Sequence, residues 1–192
     1  ARNDRTGKWF DGVGFNAVSA SPFWINATGL GGVPFAFSYT GLNDSKLENG
    51  TSYYVNSLAY DEAGNAESNG GGNFNTGRAV TFTYDVDLPT AAVSVPANGS
   101  YKRSGQALTV SGTAGDPTSE IKKVELFIRR STDGWYWQDA DGTGYGSWAN
   151  TAPAPIALST AAQPAWSYVL GNEGQIWSDN IVYTVVARAT DK

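Results

Sequence analysis

Short segments of the chain alternate between apolar and polar residues, and this pattern sets the expected fold. Residues 80–84, 124–128 and 181–190 show it most clearly. In the last segment the odd-numbered residues, from Ile181 to Ala189, would face one side of a strand and the even-numbered residues the other. No stretch of a dozen residues combines helical spacing with capping residues. Short strands separated by turns therefore predict an all-β fold built from antiparallel sandwiches.

An internal repeat is visible when the chain is aligned with itself. Three pairs of segments match in the same order: residues 7–11 with 134–138, 37–39 with 166–168, and 53–61 with 183–191. The spacing between partners drifts by only a few residues, as insertions in loops would produce. The chain is therefore predicted to hold two copies of one structural unit.

Both copies are expected to be incomplete at the ends of the chain. Because Ala1 aligns with Ile128, the first copy, residues 1–87, begins partway along its third strand. The second copy, residues 88–192, stops before the strand that residues 79–85 would provide in the first. The missing strands would belong to a longer polypeptide, of which this sequence is a window, or would be donated by a neighbouring subunit.

A tyrosine near the start of a late strand gives a more specific signature. Residues 47–53, Leu-Glu-Asn-Gly-Thr-Ser-Tyr, are followed by alternation as far as Ala59. They resemble the corner between strands E and F of fibronectin type III and related sandwiches, where a tyrosine hydrogen-bonds back to the corner. We predict this role for Tyr53 and, in the second copy, for Tyr183.

Several further segments resemble bacterial immunoglobulin-like (Ig-like) repeats. They are residues 59–65 (AYDEAGN), 89–93 (PTAAV), 96–100 (PANGS), 110–116 (VSGTAGD) and 121–126 (IKKVEL). The resemblance covers nearly the whole chain and implies tandem Ig-like antiparallel β-sandwiches. Repeats of this kind occur in large secreted or surface-anchored prokaryotic proteins, including adhesins and stalks, and as spacers in secreted hydrolases. The resemblance thus implies an extracellular or cell-surface location.

The residue types that the chain lacks exclude several kinds of chemistry. None of its 192 residues is Cys, His or Met. Ser-His-Asp and Cys-His catalysis and ordinary zinc, haem or iron–sulfur sites are therefore excluded, which leaves oxygen ligation of Ca²⁺. The net charge of −5 argues against nucleic acid and anionic membrane surfaces as partners. No apolar run approaches the roughly 18 residues of a membrane span, so we expect no membrane insertion.

Aromatic residues are concentrated in residues 131–166. This segment is interpreted as a long insertion between strands, and residues 4–36 are interpreted as the same insertion in the first copy. The candidates for binding a glycan or a protein are Trp135, Tyr136, Trp137 and Trp148, which lie in a Gly-rich stretch with several Asp residues. Exposed rings beside carboxylates can stack on sugars. The alternative is that the rings fill a second small core between loops, because Trp brings much buried area.

Acidic residues provide most of the remaining candidates, for binding Ca²⁺ and for catalysis. Asp61, Asn65, Asp85 and Asp87 are the candidate Ca²⁺ ligands near the joint between copies, against the alternative of an ordinary turn and a solvated linker. The pairs Asp139 with Asp141 and Asp116 with Glu120 could in principle serve a glycosidase.

Those pairs are interpreted as solvated turns, and no enzymatic activity is expected. The predicted function is a non-catalytic structural repeat of a stalk, filament, sheath or adhesin scaffold, whose partners are neighbouring Ig-like repeats. The alternatives are an adhesive module for surface glycans or proteins and a spacer of a secreted hydrolase.

Overall fold

The computed structural model describes residues 1–19, 22–32, 34, 36–67, 79–102, 109–139, 142–151, 155–158, 164–171 and 177–192. In these residues the regular structure is β-strand apart from one 3₁₀ turn at Asp44–Lys46, and none of it is α-helix. Accordingly, this part of the chain holds no helix with the length and apolar character that a bilayer span requires. The chain divides into two compact units, Ala1–Val86 and Asp87–Lys192.

The first unit is built from two antiparallel sheets. Its strands are β1 (Arg2–Asn3), β2 (Trp9–Phe10), β3 (Phe15–Ala17), β4 (Thr28–Gly31), β5 (Ala36–Ser38), β6 (Thr51–Val55) and β7 (Val80–Tyr84). One sheet has the order β3-β2-β1-β6-β7, and the other contains β4 and β5.

A row of aromatic rings holds the larger sheet of the first unit together. Phe15 contacts Phe10 and Tyr53, with ring centroids 5.3 and 5.0 Å apart, and Tyr53 stacks on Phe82 at 5.6 Å. Phe10 and Tyr53 are fully buried. These rings come from four strands, so burial of aromatic surface joins β2, β3, β6 and β7 across the sheet.

The second unit has the same kind of architecture with longer strands. They are β8 (Thr90–Val95), β9 (Thr109–Gly115), β10 (Ile121–Arg130), β11 (Tyr136–Gln138), β12 (Ser147–Ala149), β13 (Ile156–Leu158), β14 (Ala165–Val169) and β15 (Tyr183–Asp191). One sheet has the order β12-β11-β10-β13, with β15 also paired to β10, and the other has the order β14-β9-β8.

The core of the second unit lies between these two sheets. Apolar residues of both sheets form one buried cluster: Val110, Ala114, Ile121, Val124, Leu126, Ile128, Trp137, Ile156, Leu158, Trp166, Tyr168 and Leu170. Val185, Ala187 and Ala189 of β15 pack against it, which confirms the facing that their alternation predicts. The meeting of two apolar sheet faces is the defining feature of a sandwich.

Strand β10 departs from the predicted alternation at Glu125. The alternation places this residue on the face opposite Val124 and Leu126, yet it is only 5% exposed. Lys123 Nζ donates to one carboxylate oxygen at 2.7 Å, and Arg188 donates to the other from Nε and Nη2 at 2.9 and 2.6 Å. The hydrogen bond from Lys123, together with those from Arg188, lowers the pKa of Glu125. Its two long cationic neighbours cover it, which a pattern based on one strand does not reveal.

The turns that follow β1 and β10 have matching hydrogen bonds. Gly7 N donates to Asn3 O at 2.8 Å, and Gly134 N donates to Arg130 O at 3.0 Å. Both glycines have positive φ, at 69° and 76°. A residue with a Cβ is strained in that conformation, so each copy keeps Gly at this point of the repeat.

Both predicted tyrosine corners are confirmed. Tyr53 Oη accepts a hydrogen bond from Glu48 N at 2.7 Å, and Tyr183 Oη accepts one from Ser178 N at 2.8 Å. In each case the donor lies five residues before the tyrosine. The same phenolic group thus fixes the same corner in both units.

The all-β, antiparallel, Ig-like fold class is confirmed. In the described residues, the first unit has no counterpart of β8 and β9, and the second has no counterpart of β7. The predicted incompleteness of both units at the chain ends stays a prediction.

Candidate binding sites

The aromatic segment of the second unit belongs to its main sheet. Residues 131–166 were interpreted as an insertion, but β11 and β12 form a hairpin that extends the sheet beside β10. Trp137 lies opposite Trp148 across that hairpin. The interpretation was wrong in this respect because the segment supplies regular strands of the sheet, which the spacing of its aromatic residues did not reveal.

Trp137 is a core residue, with 2% of its surface exposed. Its Nε1 donates to Tyr168 Oη at 3.1 Å, and Tyr168 Oη in turn donates to Asp139. Asp139 also accepts from Gly144 N at 2.7 Å and is 3% exposed, so it is not the solvated turn residue expected. Trp137 points to the inner face of β11, where no ligand ring can stack on it. Asp141 lies outside the described residues.

Trp135, Tyr136 and Trp148 are partly buried and contact arginine side chains. The guanidinium of Arg130 lies 5.7 Å from the ring centroid of Trp135 and 4.7 Å from that of Trp148. Arg129 lies 6.0 Å from the ring centroid of Tyr136. These cation–π contacts stabilise the edge of the sheet. Ligand binding by the three rings stays a prediction.

The candidate Ca²⁺ ligands are divided between the units, since Asp61, Asn65 and Asp85 belong to the first and Asp87 to the second. Asn65 donates from its backbone N at 2.8 Å and from Nδ2 at 2.9 Å to the two carboxylate oxygens of Asp61. The side-chain hydrogen bond from Asn65 is the largest cause that lowers the pKa of Asp61. Thr118 Oγ1 donates to Asp87 at 2.5 Å. Calcium binding stays a prediction.

The other carboxylate pair, Asp116 with Glu120, has structural partners. Asp116 Oδ1 accepts from the backbone N of Thr118 at 2.8 Å and of Ser119 at 2.7 Å. Glu120 forms an ion pair with Lys192. The pKa of Asp116 is lowered, first by the Ser119 hydrogen bond, and that of Glu120 first by Lys192. A general acid needs a raised pKa, so neither group resembles one.

The first unit has an open apolar cleft of about 710 Å³ that the sequence did not predict. Its lining includes Trp9, Phe23, Trp24 and Phe37, together with the segment 55–60. A signal for it was present in the repeat, because residues 53–61 match a full strand of the second copy. Recognising the cleft also required knowing which strand that segment pairs with.

Aromatic residues of the first unit beside this cleft are more exposed than their counterparts in the second unit. In the second unit the residues matching Phe37 and Tyr39 are Trp166 and Tyr168, which are 4% and 3% exposed. Phe37 and Tyr39 are 56% and 41% exposed. In the described residues, β4 and β5 pair with each other and with no further strand.

Comparison with known proteins identifies the fold of one part of the chain. The family model described as "Bacterial Ig domain" matches residues 89–170, which lie within the second unit. Neither the curated proteins nor the solved structures include a significant match to the chain. The matched residues include β8 to β14, which come from both facing sheets, and every residue of the buried cluster. The second unit of this chain therefore contains a bacterial Ig-like domain.

Proposed function

We propose that the chain is a non-catalytic structural repeat of an extracellular array, in which Ig-like units are joined end to end. Such arrays form stalks, filaments, sheaths and adhesin scaffolds, and each unit acts as a spacer with a rigid core. The proposal extends the family assignment of residues 89–170 to the role of the whole chain.

One observation carries this proposal: aromatic and acidic side chains that could bind a ligand or catalyse a reaction instead make contacts within the fold. Trp137 and Asp139 belong to a buried hydrogen-bonded group with Tyr168. Glu125 is covered by its two cationic partners. A protein whose aromatic and acidic residues serve packing in this way is suited to mechanical work rather than to turnover.

Location is the first property to test. Antibodies raised against the 192-residue chain are expected to label intact cells of the source organism. External protease is expected to remove the label. Labelling that appears only after the cells are permeabilised would overturn the proposal. An antibody to a cytoplasmic protein controls for cell integrity.

A second candidate function is adhesion through the outer edge of the second unit. Trp135 and Tyr136 retain exposed surface beside Arg130 and Arg129, and an alternating aromatic and guanidinium surface can bind sugars or acidic protein segments. A glycan array probed with the full chain tests it. Binding that Trp135→Ala abolishes, with an unchanged melting temperature, would favour adhesion over a purely structural role.

The third role, a spacer of a secreted hydrolase, uses the same physical properties as the structural repeat. The discriminating observation is the sequence that flanks this chain in its gene. A catalytic domain there would favour the spacer, whereas further copies of the repeat would favour the array.

A further inference from the structure

Two turns of the chain carry an Asn-Gly pair at their two central positions. Residues 48–51, Glu-Asn-Gly-Thr, form a turn in which the backbone N of the fourth residue donates to the carbonyl O of the first at 3.1 Å. Residues 97–100, Ala-Asn-Gly-Ser, form a turn that is closed in the same way at 3.0 Å. The glycines, Gly50 and Gly99, have φ of 68° and 71°. A positive φ at the second central position favours Gly, so the two pairs share one kind of turn.

An Asn that is followed by Gly can react with its own backbone. The backbone N of the Gly attacks Cγ of the Asn, and an N–C bond forms while the C–N bond of the side-chain amide breaks. The proton of the attacking nitrogen passes through solvent to the departing amide, which leaves as ammonia. Water then opens the succinimide ring at either carbonyl and leaves aspartate or isoaspartate. Gly favours the reaction because it has no Cβ to obstruct the attacking nitrogen.

In the first unit, both groups that this reaction needs are held by other partners. Gly50 N donates to Tyr84 O at 2.9 Å. Asn49 Oδ1 accepts a hydrogen bond from Val86 N at 3.0 Å. Arg5 Nη2 also donates to Gly50 O at 3.3 Å. The attacking nitrogen and the side-chain carbonyl are thus fixed separately, and both of their hydrogen bonds must break before the ring can close.

In the second unit, the corresponding groups are exposed. Asn98 and Gly99 are both exposed, and so are Ala97 and Ser100 on either side of them. The hydrogen bond that closes the turn joins those flanking residues and uses neither the Gly99 N–H nor the Asn98 side chain. Among the residues that the structure describes, nothing corresponds to the bonds that hold Asn49. The attacking nitrogen and Cγ can therefore meet when the turn opens, and water has access to the ring.

We propose that Asn98 is a site of spontaneous deamidation in the folded protein, and that the fold protects Asn49 from the same reaction. The reactant that must be supplied from outside the chain is water. Either product adds one negative charge to a chain whose net charge is −5. Isoaspartate also inserts a methylene into the backbone of the turn that follows β8. Neither step depends on where the protein resides or on what it binds.

Peptide mapping of the full 192-residue chain, after incubation at mildly alkaline pH, measures both sites. Cleavage after Glu and Arg residues places Asn49, Asn98 and a third Asn-Gly pair, residues 69–70, on different peptides. The third pair lies outside the described residues and does not enter the comparison. Mass spectrometry detects the exchange of –NH₂ for –OH, and chromatography separates the two products. In the folded chain, Asn98 is expected to convert at least tenfold faster than Asn49.

The unfolded chain is the control for the intrinsic reactivity of each site. In concentrated urea, the two sites are expected to convert at rates within threefold of each other, because the hydrogen bonds that hold Asn49 are lost. Asn98→Gln is expected to abolish the product at residue 98, because the longer side chain closes a ring far more slowly. Asn49→Gln, the matched substitution, is expected to leave conversion at Asn98 unchanged.

Three results would overturn the inference. The first is an equal rate at Asn49 and Asn98 in the folded chain. The second is the absence of conversion at Asn98 in the folded chain under conditions in which the same residue converts in urea. The third is a ratio of the two rates that is the same with and without urea, which would mean that the fold protects neither site.

Discussion

The two tyrosine corners are the clearest residue-scale features of this protein. Tyr53 and Tyr183 lie at matching points of the repeat, and each phenol accepts a backbone N–H from five residues earlier. The interaction is local in sequence, so a short motif was enough to predict it. The hydrogen bond is partly buried at Tyr53 and exposed at Tyr183.

Removing the phenol oxygen is expected to destabilise the unit that contains it. Tyr53→Phe should lower the free energy of unfolding by about 1 kcal/mol, because Glu48 N loses its acceptor in a partly buried site. Tyr183→Phe should lower it by less, because water can reach Ser178 N. Urea denaturation followed by tryptophan fluorescence measures the change. Tyr101→Phe is the control and should leave the midpoint unchanged. Equal effects of all three changes would contradict a role for the corner.

At the residue scale, Glu125 is also expected to make the stability of the folded protein depend on pH. Its ion pairs with Lys123 and Arg188 lower its pKa in the folded state. The folded protein therefore binds a proton at Glu125 less tightly than the unfolded chain does. The stabilisation is fully present above the ordinary glutamate pKa of about 4.3 and is lost as the pH falls through the lowered folded value. Because both cations are partly exposed, the contribution is about 1 kcal/mol.

Glu125→Gln should therefore reduce stability at pH 7 and flatten the loss of stability on acidification. Urea midpoints at pH 7 and pH 3 measure both effects. Glu120→Gln removes a carboxylate whose ion pair with Lys192 is exposed, and it should change the pH 7 midpoint less. If the two variants behave alike, burial of Glu125 has no energetic consequence.

At the scale of elements, close packing of strands determines which residues are permitted. Gly112 in β9 lies opposite Trp166 of β14 and next to β8. A Cβ at this position would lie 1.8 Å from Ala92 O and 2.6 Å from the Trp166 ring. Gly115 in the same strand has nothing within 4 Å of the same point. The alternation of β9 did not distinguish these two glycines.

Gly112→Ala should destabilise the second unit by about 2 kcal/mol or more, because a backbone atom of β8 must move. Gly115→Ala should change stability by less than about 0.5 kcal/mol. Thermal and urea unfolding of the two variants make a matched comparison within one strand. Similar losses for both would mean that strand propensity, rather than the approach of β8 and Trp166, sets the requirement for Gly.

At the scale of the whole molecule, the two units differ in how many apolar side chains they bury. The second unit buries one continuous cluster contributed by both sheets. In the first unit, among the described residues, Trp9, Phe10 and Tyr53 are the buried hydrophobic side chains. Among the residues that the structure describes, β4 and β5 pair only with each other, and Phe37 of β5 is 56% exposed.

Hydrogen exchange should follow that difference. Amides of β10 and β15 are expected to exchange most slowly, since β10 has strand partners on both edges. Amides of β4 and β5 are expected to exchange fastest among the strands, because these strands form an exposed two-stranded sheet. Mass spectrometry of peptic fragments measures both. Equal protection of the two units would contradict the stated difference in core.

The sequence by itself determined the fold class, the tyrosine corners and the facing of β15. These features depend on local patterns, because alternation and turn residues act over a few neighbouring positions. Only the tertiary structure decided that Trp137 and Asp139 are buried, that Glu125 is covered, and that the first unit has an open cleft. Each of these depends on which strand lies beside another, and residues far apart in the chain make that contact.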